Sequence, residues 1–125
     1  MTSTPLKDEE KAHPIAEVWR PTIRQIVKAL AEGDYEIARG IKWVTPPNTK
    51  RVKQMRSYVA DFGETLTELS DETWDSSVSQ WMETHWDVLV DLWTVESGRS
   101  DLALSLRIFE AESGYRFELD SLHVP

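Results

Sequence analysis

Between Trp86 and Leu122 apolar side chains recur at every second position, and two glycine-bearing turns interrupt them. Period two is the signature of half-buried strands, and short turns between such runs predict an antiparallel meander. In the first run Val88, Val90 and Leu92 share one face, with Asp87, Leu89, Asp91 and Trp93 opposite. In the second, Leu102, Leu104, Leu106 and Ile108 oppose Asp101, Ala103, Ser105 and Arg107. Tyr115, Phe117 and Leu119 supply the inner face of the third, after a turn at Glu112, Ser113 and Gly114. Matching the apolar faces pairs even positions with even ones. That requires an odd-length hairpin loop, read here as Ser97-Gly98-Arg99, because a one-residue slip would turn every side chain over. Leu89 and Trp93 make the first strand apolar on both faces, which suits an interior strand. Residues 64–69 are the candidate for its second neighbour.

Ahead of the meander the period changes to that of a helix. Ile15, Val18, Trp19, Ile23, Ile26, Val27 and Leu30 form an amphipathic stripe that Gly33 ends. Pro21 lies inside it, so either the helix kinks or a second helix starts with Pro21 in its first turn. Asp34 is placed to cap a short helix over residues 35–39, and Ile41 to Val44 reads as extended or irregular. Pro46-Pro47 is a breaker. Asn48 or Thr49 then caps a helix with the stripe Val52, Met55, Val59 and Phe62, closed by Gly63. Its polar face carries Lys50, Arg51, Lys53 and Arg56. Ser70 followed by Asp71 and Glu72 predicts a further short helix bearing Trp74, Val78, Trp81 and Met82. The expected fold is one α+β domain over residues 1–125, with N-terminal helices packed on a three- to four-stranded antiparallel meander. Its parts are a frayed terminus (1–12), a mainly helical region (13–63), a mixed region (64–85) and the meander (86–125).

Charge is divided unevenly along this plan. Residues 1–63 hold 11 Lys/Arg and 8 Asp/Glu, whereas residues 64–125 hold 3 Lys/Arg and 14 Asp/Glu. An acidic half repels nucleic acid and attracts basic partners, and it also keeps a small domain in solution. The basic helix is short and has no aromatic residues interleaved with its cations, which argues against nucleic acid as a partner. No cysteine is present, so there is neither a disulfide framework nor a thiolate metal site. No apolar run reaches the length of a membrane span, and the N-terminal residues lack the apolar core of a signal peptide. The expected location is the cytoplasm, with no membrane association.

Catalytic and metal-binding patterns do not assemble. His13, His85 and His123 are scattered, although Glu83, His85 and Asp87 alternate and could share a face. Asp87, Asp91, Asp101, Glu118 and Asp120 fall on the outer side of the meander. Paired carboxylates there would need environments that separate their pKa values; a solvated face countered by Arg107 and Arg116 is the plainer reading. Ser97 to Ser100 lacks the spacing of a phosphate loop, and Ser100-Asp101 suits local side-chain to backbone bonding. No catalytic residue, cofactor or metal is assigned, and Arg99 and His123 are left between structural and functional roles. Of six tryptophans, Trp19, Trp86 and Trp93 belong to core stripes. Trp43, Trp74 and Trp81 are freer, and an exposed tryptophan beside carboxylates makes an interface anchor.

The block Trp86-Asp-Val-Leu-Val-Asp-Leu-Trp-Thr94, with Glu96, Gly98-Arg-Ser-Asp-Leu102 and the ending Leu122-His-Val-Pro125, resembles a group of small, acidic, uncharacterised bacterial proteins. In size, charge and lack of cysteine such proteins look like immunity proteins of bacterial toxin systems. The resemblance implies a non-catalytic protein that neutralises a basic toxin through an acidic surface, for which Asp87, Asp91, Asp101, Trp74 and Trp81 are the candidate contacts. Two alternatives stand beside it. One is a small-ligand or enzymatic domain whose curved sheet encloses a cone-shaped pocket, similar to the nuclear transport factor 2 fold. The other is an oligomerising module, a homodimer included.

Overall fold

The computed structural model describes residues 5–125. In chain order its elements are β1 (His13–Pro14), a 3-10 turn (Glu17–Trp19), α1 (Arg20–Ala31), β2 (Val44–Thr45), α2 (Thr49–Phe62), β3 (Leu66–Thr67), a second 3-10 segment (Asp71–Asp75), β4 (Val78–Trp81), β5 (Trp86–Thr94), β6 (Gly98–Ala111) and β7 (Gly114–His123). The strands form one sheet in the order β1-β4-β5-β6-β7-β2, and β3 pairs with the end of β5. All pairings are antiparallel except β2 with β7. The domain is therefore α+β with a sheet that is wider than expected and mixed at one edge. The additional strands are mostly two-residue pieces too short to show a period.

The meander registers even on even. Trp86 lies opposite Ile108 and then Phe117, Val88 opposite Leu106 and then Leu119, and Val90 opposite Leu104 and then Leu122. All nine side chains are buried. Leu119 and Leu122 both face inward because β7 slips its register between Leu119 and Ser121, and a bulged residue changes which side follows. The β5–β6 loop has odd length but spans residues 95–97, since Thr94 pairs with Gly98. Gly98 takes φ 70°, the left-handed conformation such a loop needs. The Ser100 hydroxyl donates to the Leu92 carbonyl (2.8 Å) and accepts from the Leu102 amide (3.1 Å), stitching the irregular register just beyond.

Helix α1 lies on the inner face with Ile23, Ile26, Val27 and Leu30 in the core. Pro21 falls in its first turn, directly after the 3-10 turn that carries Trp19. Helix α2 starts at Asn48, whose side chain accepts the Arg51 amide (2.8 Å), and ends at Gly63 in the left-handed conformation. It buries only Val52 and Met55, and it flanks β7.

Two expected helices do not form. The Asp34 carboxylate accepts the Ala38 (2.8 Å) and Arg39 (3.2 Å) amides, but Ile37 has φ 54°, so residues 35–39 are successive turns. Ser70 caps only the 3-10 segment, and Trp81 then enters β4. Hydroxyl chemistry decides this: Thr73 donates to the Asp91 carbonyl (2.6 Å) and Ser77 accepts the Asp91 amide (2.9 Å), which ties the segment to the edge of β5. The expectation of a frayed terminus falls outside the described residues for positions 1–4. From residue 5 on the segment makes contacts with the sheet: Trp86 donates its indole N–H to the Leu6 carbonyl (3.0 Å), and Gln80 donates to the Asp8 carbonyl (2.8 Å).

Candidate functional site

The carboxylates on the outer face of the meander divide into two groups. Along the middle, Asp87 lies opposite Arg107, and Arg107 opposite Glu118. Arg107 also reaches Asp120 (3.5 Å), Arg116 pairs with Glu118, and Asp87 accepts from His85 (3.0 Å). This is a ladder of alternating charge. At the β5–β6 end, Asp91 and Asp101 line one shallow depression of about 380 Å³ with Arg99, Ser100, Val124 and Pro125. Asp91 accepts from the Ser76 hydroxyl, and Arg99 also donates to that hydroxyl (3.4 Å). Ser76 follows the 3-10 segment directly, so that segment borders the same corner, while its Asp71 turns to Arg24 of α1. Asp91 and Asp101 are thus brought together, and Asp87 stands apart from them in the ladder.

Trp19 and Trp86 are core residues as expected, whereas the candidate anchors Trp74 and Trp81 are largely covered. Trp74 is only 8% exposed, and the guanidinium groups of Arg20 and Arg24 lie over its ring at 5.2 and 5.4 Å, so it is not an exposed anchor. Trp81 is partly buried, its ring tilted 55° to that of Trp86 at a centroid distance of 4.6 Å, with the Lys7 ammonium 5.0 Å from its ring. Trp19 and Tyr115 complete an aromatic cluster at that end of the core. Burial first, and then the Glu110 carboxylate, push the Tyr115 hydroxyl above its ordinary pKa, while Lys7 pulls the other way.

A groove of about 550 Å³ runs between α2 and the end of β7, which sequence patterning did not indicate. Its floor is Met55 and Leu122; Arg51, Tyr58, Asp61, Asp120 and His123 are among its walls. Arg51 donates to the Leu119 carbonyl (2.8 Å), and the Tyr58 hydroxyl accepts the Val124 amide (3.1 Å). These side chains stand where a longer β2 would pair with β7, but Pro46-Pro47 ends that strand early. Tyr58, a lone aromatic off the apolar stripe of α2, was the available signal.

The inner face has no room for a cone-shaped pocket. Leu102, Leu104, Leu106 and Ile108 are fully covered, and Trp19 and Trp86 fill the space between sheet and α1. His13 pairs with Asp8 (2.8 Å), and His123 bonds Ser121 (3.0 Å). Among the described residues no three His, Asp or Glu side chains converge as metal ligands. No helix among them is long and apolar enough to cross a membrane.

Fold and surfaces together define a two-layer α+β domain with an acidic corner. The chain belongs to the family described as a domain of unknown function (DUF7668), whose model matches residues 27–125. No curated protein and no solved structure matches it.

Proposed function

We propose that the protein is a non-catalytic protein-binding domain of the immunity type, which meets a basic partner through the acidic corner at Asp91 and Asp101. The observation that carries this reading is the division of the outer carboxylates. Asp87, Glu118 and Asp120 have arginine or histidine partners, while Asp91 and Asp101 share a solvent-facing depression with no ion pair among the described residues. Carboxylates that no internal cation neutralises are the ones that accelerate association with a cationic surface and select it. Among the described residues the buried polar positions besides the aromatic ones are serine and threonine only, and the ionisable side chain in the core is the Tyr35 phenol, which burial pushes further above its ordinary value and away from acid–base work near neutrality.

The test is affinity capture of the tagged protein from its native host, with mass spectrometry of what co-elutes, in parallel with an Asp91→Lys/Asp101→Lys variant. One basic protein, recovered stoichiometrically by the parent and lost by the variant, is the expected outcome. Equal recovery by both would remove the acidic corner from the reading. The α2–β7 groove supports a second reading, a small-ligand site, because its volume falls in the usual range for one. Metabolite screening by thermal shift, with Tyr58→Ala as the control, tests that alternative.

A further inference from the structure

The chain segment before β1 crosses the aromatic end of the core and is held there by polar contacts. Trp86 donates to the Leu6 carbonyl (3.0 Å), the Lys7 ammonium pairs with Glu110 (2.7 Å) and lies over Trp81 (5.0 Å), and Gln80 donates to the Asp8 carbonyl (2.8 Å). Apolar burial contributes little, since Leu6 is 57% exposed. The Lys7–Glu110 pair is about half exposed on both sides, where such pairs contribute little. This is how a bound peptide is held: a backbone carbonyl on an indole N–H, and a cation between a carboxylate and an aromatic face.

We propose that residues 6–8 are an internal stand-in for a ligand, and that the cleft of Trp81, Trp86, Tyr115 and Glu110 beneath them binds an extended, lysine-bearing segment of a partner protein. Three observations support the choice of occupant. The cleft's charged wall is acidic, with Glu110 beside the rings. Its one satisfied indole takes a main-chain carbonyl rather than a side chain, so an extended backbone fits it. The Trp19 indole N–H, in the same cluster, is buried without an acceptor. Moreover, Trp81, Trp86, Glu110 and Tyr115 lie within the family's matched residues 27–125, while the strap lies ahead of them. The cleft is distant in the fold from the acidic corner, and the inference does not rest on that site.

The probe is a fluorescein-labelled synthetic peptide of residues 5–12, titrated by polarisation against the full chain and its Lys7→Glu variant. Lys7→Glu places like charge on Glu110 and should release the strap. The variant is expected to bind the peptide about two- to fivefold more tightly than the parent, whose cleft is occupied, in keeping with the small worth of an exposed pair. Hydrogen exchange should show faster exchange at residues 5–14 with β6 still protected. The gain should vanish when Glu110→Gln is added, or when the peptide carries alanine for its lysine. Gln80→Ala, which loosens the strap without changing charge, should give a smaller gain and guards against misfolding of the first variant. Unchanged exchange at residues 5–14 in both variants would overturn the displaceable strap. An opened strap without peptide binding, or equal binding of the lysine-free peptide, would overturn the cleft as a lysine site.

Discussion

The same three strands, β5, β6 and β7, present two faces built on opposite rules. Inside, each row across the strands is apolar throughout: Trp86–Ile108–Phe117, Val88–Leu106–Leu119, Val90–Leu104–Leu122. Outside, the corresponding row is Asp87–Arg107–Glu118. Inner side chains have no solvent alternative, so their register is fixed and any loss leaves a void. Outer side chains exchange one hydrated arrangement for another at little cost, so that face is free to carry recognition. The comparison breaks first on the inside. Leu104, fully buried between Val90 and Leu122, should cost about 2–5 kcal/mol when changed to alanine. Urea unfolding followed by tryptophan fluorescence measures it; a loss under 1 kcal/mol would mean that the inner face repacks freely.

The inner rows were legible because burial on one face imposes alternation, and alternation survives in composition. So were the odd length of the hairpin loop, the short strand within residues 64–69 beside the end of β5 and, each as one of two alternatives, Pro21 in the first turn of α1 and Asn48 as the cap of α2; β4, the longer second neighbour of β5, was not. What was not legible depends on contacts between distant segments. Ser76 and Ser77 look like poor helix residues, and only the proximity of Asp91 turns them into ties that lead into β4. Trp74 reads as free until Arg20 and Arg24 are folded over it. The α2–β7 groove needs Arg51 to reach β7, and Tyr58 the residue just past it, from 68 and 66 residues away in the chain. No local period encodes such a meeting.

A second test sits where the edge strand closes on the meander. A Cβ at Gly114 would overlap the indole ring of Trp43, which leads into β2. Gly114→Ala should therefore displace Trp43 and cost about 1–3 kcal/mol. The β2–β7 pairing, seen in exchange at the Phe117 amide that donates to the Trp43 carbonyl (2.8 Å), should weaken while the β5–β6 amides stay protected. Loss of protection throughout the sheet would show that this edge is part of the same cooperative unit as the inner rows. At α2, Asn48→Ala removes the cap on the Arg51 amide and should cost about 1 kcal/mol, read as a lower urea midpoint at unchanged slope.

Acid tests a polar turn in the same way. The Ala38 amide, and then the Arg39 side chain and amide, hold the Asp34 carboxyl below its ordinary value of 3.8, against the opposing effect of burial. A group whose folded pKa is depressed contributes stability above its unfolded pKa and loses it as pH falls through the folded value. Amide protection relative to the intrinsic exchange rate, over residues 34–39, should thus be flat from neutral pH down to about 4 and change only below it. Asp34→Asn should abolish that acid step; a transition near neutrality would contradict the assigned hydrogen bonds.

The smallest effect belongs to the outer row. Arg107→Gln removes the cation that faces Asp87 and Glu118 and reaches Asp120, yet the guanidinium side chain is 48% exposed. Water and salt already screen such pairs, so stability should fall by about 0–1 kcal/mol, less at high ionic strength. Surface potential should change more than stability does, because three carboxylates lose their shared counter-charge while the strands beneath them keep every apolar contact. If the acidic corner meets a basic partner, Arg107→Gln should raise the association rate at low salt and leave the urea midpoint nearly where it was. A drop in stability comparable to that of Leu104→Ala would mean that the outer ladder holds the sheet together, and that the two faces are not divided between folding and recognition.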